Sequence, residues 1–225
     1  MSIISHKLFQ LLEILKKPTS ENNIPYMYID TVGKVTVGVG HNLDAHKDML
    51  TLPFMVKRFA RHPVKGGDTG IAITTNKVLG RAATQDEIKN DYNFITKHKG
   101  LGKYNPENLS KYTTLELSVA AIDALFKKDL NIALAVAKRE FGAAFDKYPI
   151  TCQAALVDIA FNVGNFSSFR GTFVPAIKGT GIYSKKSMSE RWKIASQNCR
   201  RGQVSADRNR HVTQWLMEGA KNTQS

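Results

Sequence analysis

The sequence predicts an α+β fold, mainly helical in its second half, with one small antiparallel hairpin near its start. Three observations predict it. An apolar run at 26–29 leads into the turn Asp30-Thr31-Val32-Gly33, after which residues 34–40 alternate apolar with small or polar positions. From residue 113 onward, apolar side chains recur at helical spacing in several segments bounded by cap signals. A hydrophobic share of 42% with 23% charged residues, over 225 residues, is ordinary for a globular chain and sufficient to bury a core.

The first element is a helix over residues 5–17, in which Ile4, Leu8, Leu11, Leu12 and Leu15 share a face and Pro18 stops the chain. Residues 26–29 and 34–40 read as two strands. In the second, Val35, Val37 and Val39 point to one face, while Thr36, Gly38 and Gly40 point to the other, where missing side chains leave room for a ligand. Residues 44–108 carry less signal: a Gly- and Pro-containing stretch at 62–70, then a helix over 84–97 whose Thr84 and Glu87 have capping-box spacing. Residues 113–141 read as a long helix or helix pair, with Leu115, Val119, Ile122, Leu125, Phe126 and Leu130 as its stripe. A strongly apolar helix follows over 151–163, stopped by Gly164, and helices over 187–195 and 205–217 complete the chain.

Charge and composition narrow the function classes. Thirty-two Lys and Arg stand against 19 Asp and Glu, a net +13, which favours a polyanionic partner. The basic residues are scattered in short groups such as Lys127-Lys128 and Arg200-Arg201, with no zinc-finger, RNA-recognition or basic-zipper pattern, so no nucleic-acid partner is expected. No apolar run approaches the ~20 residues of a membrane span, and the start of the chain is amphipathic instead of signal-like. The expectation is a protein made in the cytoplasm without a signal peptide and without membrane insertion. Cys152 and Cys199 have no metal-ligand spacing and read as two reduced thiols, with a single long-range bridge as the alternative.

The most informative stretch is Glu21-x8-Asp30-x5-Thr36, running into Gly38-Val39-Gly40-His41. Glycoside hydrolysis needs two carboxyl groups flanking the scissile bond, one protonated to donate to the leaving oxygen and one ionised to handle water. A Glu after a helix, an Asp on a hairpin turn and a strand threonine supply those groups. Singly, each has a plainer reading: a solvated Glu, an Asp that caps its own turn, a Thr that favours strands.

Together they resemble a known family. The segment 28–41 is similar to the signature hairpin of the phage-type lysozymes (glycoside hydrolase family 24, the T-even class), and the Glu-x8-Asp-x5-Thr spacing of that family is met by Glu21, Asp30 and Thr36. Residues 155–164 resemble the family's buried helix, which ends in an aromatic, an amide and a glycine. Residues 169–177 resemble the segment after it, and 208–212 the basic helix near the end. The matched blocks cover about half the chain.

The resemblance implies a two-lobed, mainly helical lysozyme fold in one domain, with a small lobe over about residues 18–112 and a helical lobe over about 113–225 packed with helix 5–17. Glycan would lie in the cleft between the lobes. It implies a peptidoglycan muramidase, with Glu21 as general acid and Asp30 with Thr36 positioning the water of an inverting displacement, the carboxyls roughly 6.5–9.5 Å apart. Asn162, Phe161 and Gly38 would contact substrate. Arg208 would contact Glu21, and His41 would be structural. A guanidinium beside Glu21 favours its ionised form, whereas a general acid must carry a proton, so orientation is the better role for Arg208. No cofactor or metal is implied.

Three features depart from the family pattern. Asn22 follows Glu21 where the family has glycine, Pro18 interrupts the first helix, and residues 44–112 are longer than compact members need. The last suggests a lysozyme domain recruited as an antibacterial toxin, such as a type VI secretion effector. It would act as a monomer on the wall of a target bacterium, with an immunity protein or the secretion apparatus as partners. Two alternatives are a lytic transglycosylase, which does not need Asp30, and a wall-binding module without activity.

Overall fold

The computed structural model describes residues 3–59, 77–102, 107–110 and 112–223; the 62–70 stretch lies outside them. The elements in chain order are α1 (His6–Leu12), β1 (Ile24–Ile29), β2 (Val35–Gly38), β3 (His41–Asn42), α2 (Leu43–His46), β4 (Met55–Phe59), β5 (Lys77–Ala82), α3 (Gln85–Lys97), α4 (Lys99–Gly102) and α5 (Glu107–Ser110). They continue with β6 (Leu115–Glu116), α6 (Val119–Phe141), α7 (Ile150–Val163), α8 (Phe173–Lys178), α9 (Met188–Gln197) and α10 (Ala206–Asn222). The described fold is mostly helical with small antiparallel sheets, of α+β composition. The residues form two compact units, Asn23–Ala124 and Met1–Asn22 with Leu125–Ser225. The helical unit therefore begins inside α6, twelve residues beyond the expected boundary near Thr113.

In the helical unit, α1 is shorter than the predicted helix. Ser5 caps it, accepting from the Leu8 amide at 3.3 Å, and after Leu12 the chain tightens into a 3₁₀ turn over Glu13–Lys16. Pro18 explains the end: it pushes the residue before it out of the helical region, and Lys17 is extended at φ −74°, ψ 147°. Leu8, Leu12 and Leu15 stay buried through the change of pitch. Helix α7 is the axis of this unit, with Cys152 and every residue from Ala154 to Ala160 buried, and α1 and α10 pack on it. Gly164 ends α7 at φ +71°, a left-handed cap that glycine adopts without strain. Beside it lies an aromatic cluster. The Phe141 and Phe166 rings meet edge-on at 5.1 Å and those of Tyr148 and Trp192 at 5.0 Å, the geometry the ring quadrupoles favour. Cys152 and Cys199 are free and buried, and burial pushes both thiols above their ordinary range.

In the other unit, β1, β2 and β3 form an antiparallel sheet in which Tyr28 pairs with Thr36 and Ile29 with Val35. A second sheet, ordered β5-β4-β6, was not expected from the sequence. Its strands are short and charged, and β6 lies within the span predicted as helix. Leu115 and Glu116 pair with Val56 and Met55 of β4, and α6 starts only after Ser118, whose hydroxyl accepts from the Ala121 amide. Val119, expected on the apolar stripe, is 71% exposed, whereas Ile122, Leu125, Phe126 and Leu130 are buried.

Two buried polar groups hold this second sheet. Asp91 on α3 accepts from the Thr114 amide and hydroxyl, each at 2.9 Å, and from the Leu115 amide at 3.0 Å. Lys57 of β4 donates to the Ser110 carbonyl at 2.8 Å and the Thr113 hydroxyl at 2.6 Å, with Glu116 at 3.4 Å. A buried ammonium is tolerable only with such a full set of acceptors. The capping box of α3 is present, Thr84 and Glu87 each bonding the other's backbone amide.

Candidate active site

Glu21 sits in the turn that follows Pro18, in the helical unit. Its amide donates to the Leu15 carbonyl and that of Asn22 to the Lys17 carbonyl, both at 3.1 Å, so the turn is folded back onto the end of the first helical segment. Asn22 has φ +70°. This left-handed conformation costs most L-residues free energy, and asparagine tolerates it better than others. The departure at Asn22 thus meets the same backbone requirement that a glycine would.

The Glu21 side chain is 23% exposed and is held by Arg208 Nη1. Arg208 lies in the first turn of α10, 2% exposed, its own amide capped by Ser205 Oγ at 3.1 Å. The Ser205 hydroxyl also donates to the Thr19 carbonyl, tying the turn before Glu21 to the start of α10. Behind Arg208 stands Asp158 of α7, 1% exposed, which accepts from Arg208 Nε at 2.7 Å and again from Nη2. Its other oxygen takes Arg201 Nη2 at 3.2 Å. Asn209 fixes the Arg201 backbone on both sides, accepting from its amide at 3.0 Å and donating to its carbonyl at 2.9 Å. The result is a chain of alternating charge: Glu21, Arg208, Asp158, Arg201. Burial pushes the Asp158 carboxyl up against the pull of Arg201 and His211, and pushes Arg208 down to about 9, which leaves it charged at neutral pH.

Phe161, expected to touch substrate, lies half-buried in the helical unit. Its ring lies 5.9 Å from the Arg208 guanidinium and 5.9 Å from the Phe126 ring. Asn162, one residue on, lines an open cleft of about 620 Å³ with Ser168, Thr172, Asn198, Arg200 and Gln203. Arg201 forms part of its wall, so the charged chain reaches the cleft from behind. Amides, hydroxyls and an exposed arginine can hydrogen-bond a sugar or its acidic substituents.

In the sheet-bearing unit, Asp30 opens the hairpin turn. Its Oδ1 accepts from the Lys34 amide at 2.7 Å and the Val32 amide at 3.0 Å. Its Oδ2 is left toward Thr36, whose hydroxyl lies 3.5 Å away and 3.3 Å from the Lys34 carbonyl. The turn-capping role and a second role are thus compatible, because they use different oxygens. Burial, with the Asp30 charge nearby, pushes the Tyr28 phenol above its ordinary range.

Two expectations for this hairpin are corrected. Thr36 is only 1% exposed, and the face it shares with Gly38 is not open: a Cβ on Gly38 would meet Ile122 Cγ2 at 3.3 Å. Gly38 is needed for that packing and for its φ of +64°, not for approach of a ligand. His41 is buried, pairs through Nε2 with Asp48 at 2.9 Å, and stacks on His46 at 4.3 Å.

The sequence reading missed Asp158 and Arg201. The signal was present: a lone carboxylate in the run Ala155-Leu156-Val157-Asp158-Ile159-Ala160 must find a buried counter-charge. No helix among the described residues is long and apolar enough to cross a membrane. Compared with known proteins, the chain matches no family model and no curated sequence.

Proposed function

We propose that the protein is a muramidase that hydrolyses the β-1,4 bond between N-acetylmuramic acid and N-acetylglucosamine in bacterial peptidoglycan. The observation that carries this reading is the division of labour within Asp30: one carboxylate oxygen is committed to the turn, and the other is kept beside the hydroxyl of Thr36, six residues on. With Glu21 this completes the Glu-x8-Asp-x5-Thr spacing of the phage-type lysozymes. In this reading the two compact units correspond to the two lobes of a lysozyme fold.

Glu21 donates its proton to the glycosidic oxygen as the bond to the anomeric carbon breaks. Asp30, its Oδ2 oriented by the buried Thr36 hydroxyl, holds a water and takes its proton, and the water oxygen attacks from the opposite side, inverting the anomeric centre. Arg208 orients Glu21. Asn162 and the polar cleft around it bind the flanking glycan. The net charge of +13 draws the enzyme to the anionic wall, so lysis weakens as salt rises. Delivery as an antibacterial toxin, checked in the producing cell by an immunity protein, accords with the length of residues 44–112, which exceeds what a compact lysozyme needs.

Muropeptide analysis of digested sacculi tests the proposal. The wild type is expected to release reducing N-acetylmuramic ends, and Glu21→Gln to lower that rate by at least about 10²-fold with unchanged circular dichroism. Full clearing by Glu21→Gln, or anhydro-muramic products from the wild type, would refute it.

A further inference from the structure

We propose that Asp158 is a positioning residue that acts through Arg208 to keep Glu21 able to hold a proton. The inference rests on Glu21 being the general acid, and it resolves the conflict between that role and an arginine at its side. A lone guanidinium against Glu21 would hold it as the carboxylate. Here the guanidinium is shared: Arg208 Nη1 goes to Glu21, while Nε and Nη2 go to Asp158, with the Nε bond at 2.7 Å. Asp158 is 1% exposed and Arg208 2%, so little solvent screens the exchange.

The charges facing Glu21 can be counted. Arg208, Asp158 and Arg201 form one bonded group with a net charge of one positive. Asp158 is the one charged residue on α7. On α10, His211 adds to the field at Asp158, and Asp207 is paired outward with Arg210. Lys17, on the Glu21 segment itself, is exposed. Removing the Asp158 charge leaves two positive charges behind Glu21. Removing the Arg201 charge leaves Asp158 to neutralise Arg208 alone. The two substitutions therefore push Glu21 in opposite directions, which a purely architectural network would not do.

The test is a titration of ¹³C-labelled glutamate carboxyls by NMR, with the Glu21 signal assigned by its loss in Glu21→Gln. Asp158→Asn is expected to lower the Glu21 midpoint by about one pH unit, and Arg201→Gln to raise it by a similar amount. The high-pH limb of wall hydrolysis, where the acid loses its proton, is expected to follow in the same directions. Midpoints that stay fixed, or that move the same way in both variants, overturn the proposal. If Asp158→Asn fails to fold, Arg201→Gln decides alone, since an unchanged or lowered midpoint is then sufficient to refute it. A wild type with no wall hydrolysis at all removes the enzymatic reading, and the titration still decides whether Asp158 controls Glu21.

Discussion

Arg208 and Asp158 form a buried, doubly bonded ion pair, Nε to Oδ1 at 2.7 Å with Nη2 on the same oxygen, and the remaining arm of Arg208 is the one that reaches Glu21. Breaking such a pair leaves an uncompensated charge, which costs more than the pair itself contributes. Arg208→Met is therefore expected to lower stability by about 3 kcal/mol in urea unfolding, softened by the Arg201 contact that Asp158 retains. The double variant Arg208→Met, Asp158→Asn is expected to recover part of the loss, giving a non-additive cycle. Strict additivity would mean that the two residues are not coupled.

Asp30 and Thr36 separate turn stability from chemistry. Asp30→Ala removes the acceptor for two amides and is expected to cost about 1 kcal/mol. Asp30→Asn keeps an oxygen for the turn, so its stability loss is smaller, while turnover falls by roughly 10²-fold. Thr36→Val preserves shape at a buried site and removes only the hydroxyl. Rates on sacculi are expected to fall in the order wild type, Thr36→Val, Asp30→Asn.

Asn22 holds a positive φ directly after Glu21. Asn22→Gly relieves the backbone but loosens the unfolded chain, and the two effects nearly offset, so a change within about 1 kcal/mol is expected. Asn22→Val forces a β-branched residue into the same conformation and is expected to cost about 2 kcal/mol or more. Thermal melts of the two variants check the difference. Equal stability would show that the turn readily adopts another path.

Glu87 carries a pH prediction. Arg81 and the Thr84 amide hold its carboxyl down at about 2, well below its ordinary 4.5. The group is depressed in the folded state, so its stabilising contribution is complete above 4.5 and is lost as pH falls through about 2. NMR titration is expected to place the Glu87 midpoint near 2 and to raise it in Arg81→Ala; a wild-type midpoint at the ordinary value would contradict the capping geometry.

Much of the local structure was legible in the chain. The valine alternation and the Asp30 turn specify the β1–β2 hairpin, Thr84 and Glu87 specify the start of α3, and Gly164 specifies the end of α7, because each is a signal carried within a few residues. The second sheet was not legible. Its strands lack a clean period of two, and Leu115-Glu116 is drawn from helix to strand by pairing with β4, sixty residues away.

For the candidate site the division is sharper. The sequence by itself determined which groups are available: two acids, a threonine and their spacing, with an amide on a distant helix. Only the tertiary structure decided how they are held. Asp158 meets Arg201 across 43 residues and Arg208 across 50, and Arg208 meets Glu21 across 187. It also decided that Gly38 backs onto Ile122 and that Phe161 packs on Arg208. The physical reason is that a buried charge must find its partner wherever the fold brings one, and no local pattern records which partner that is.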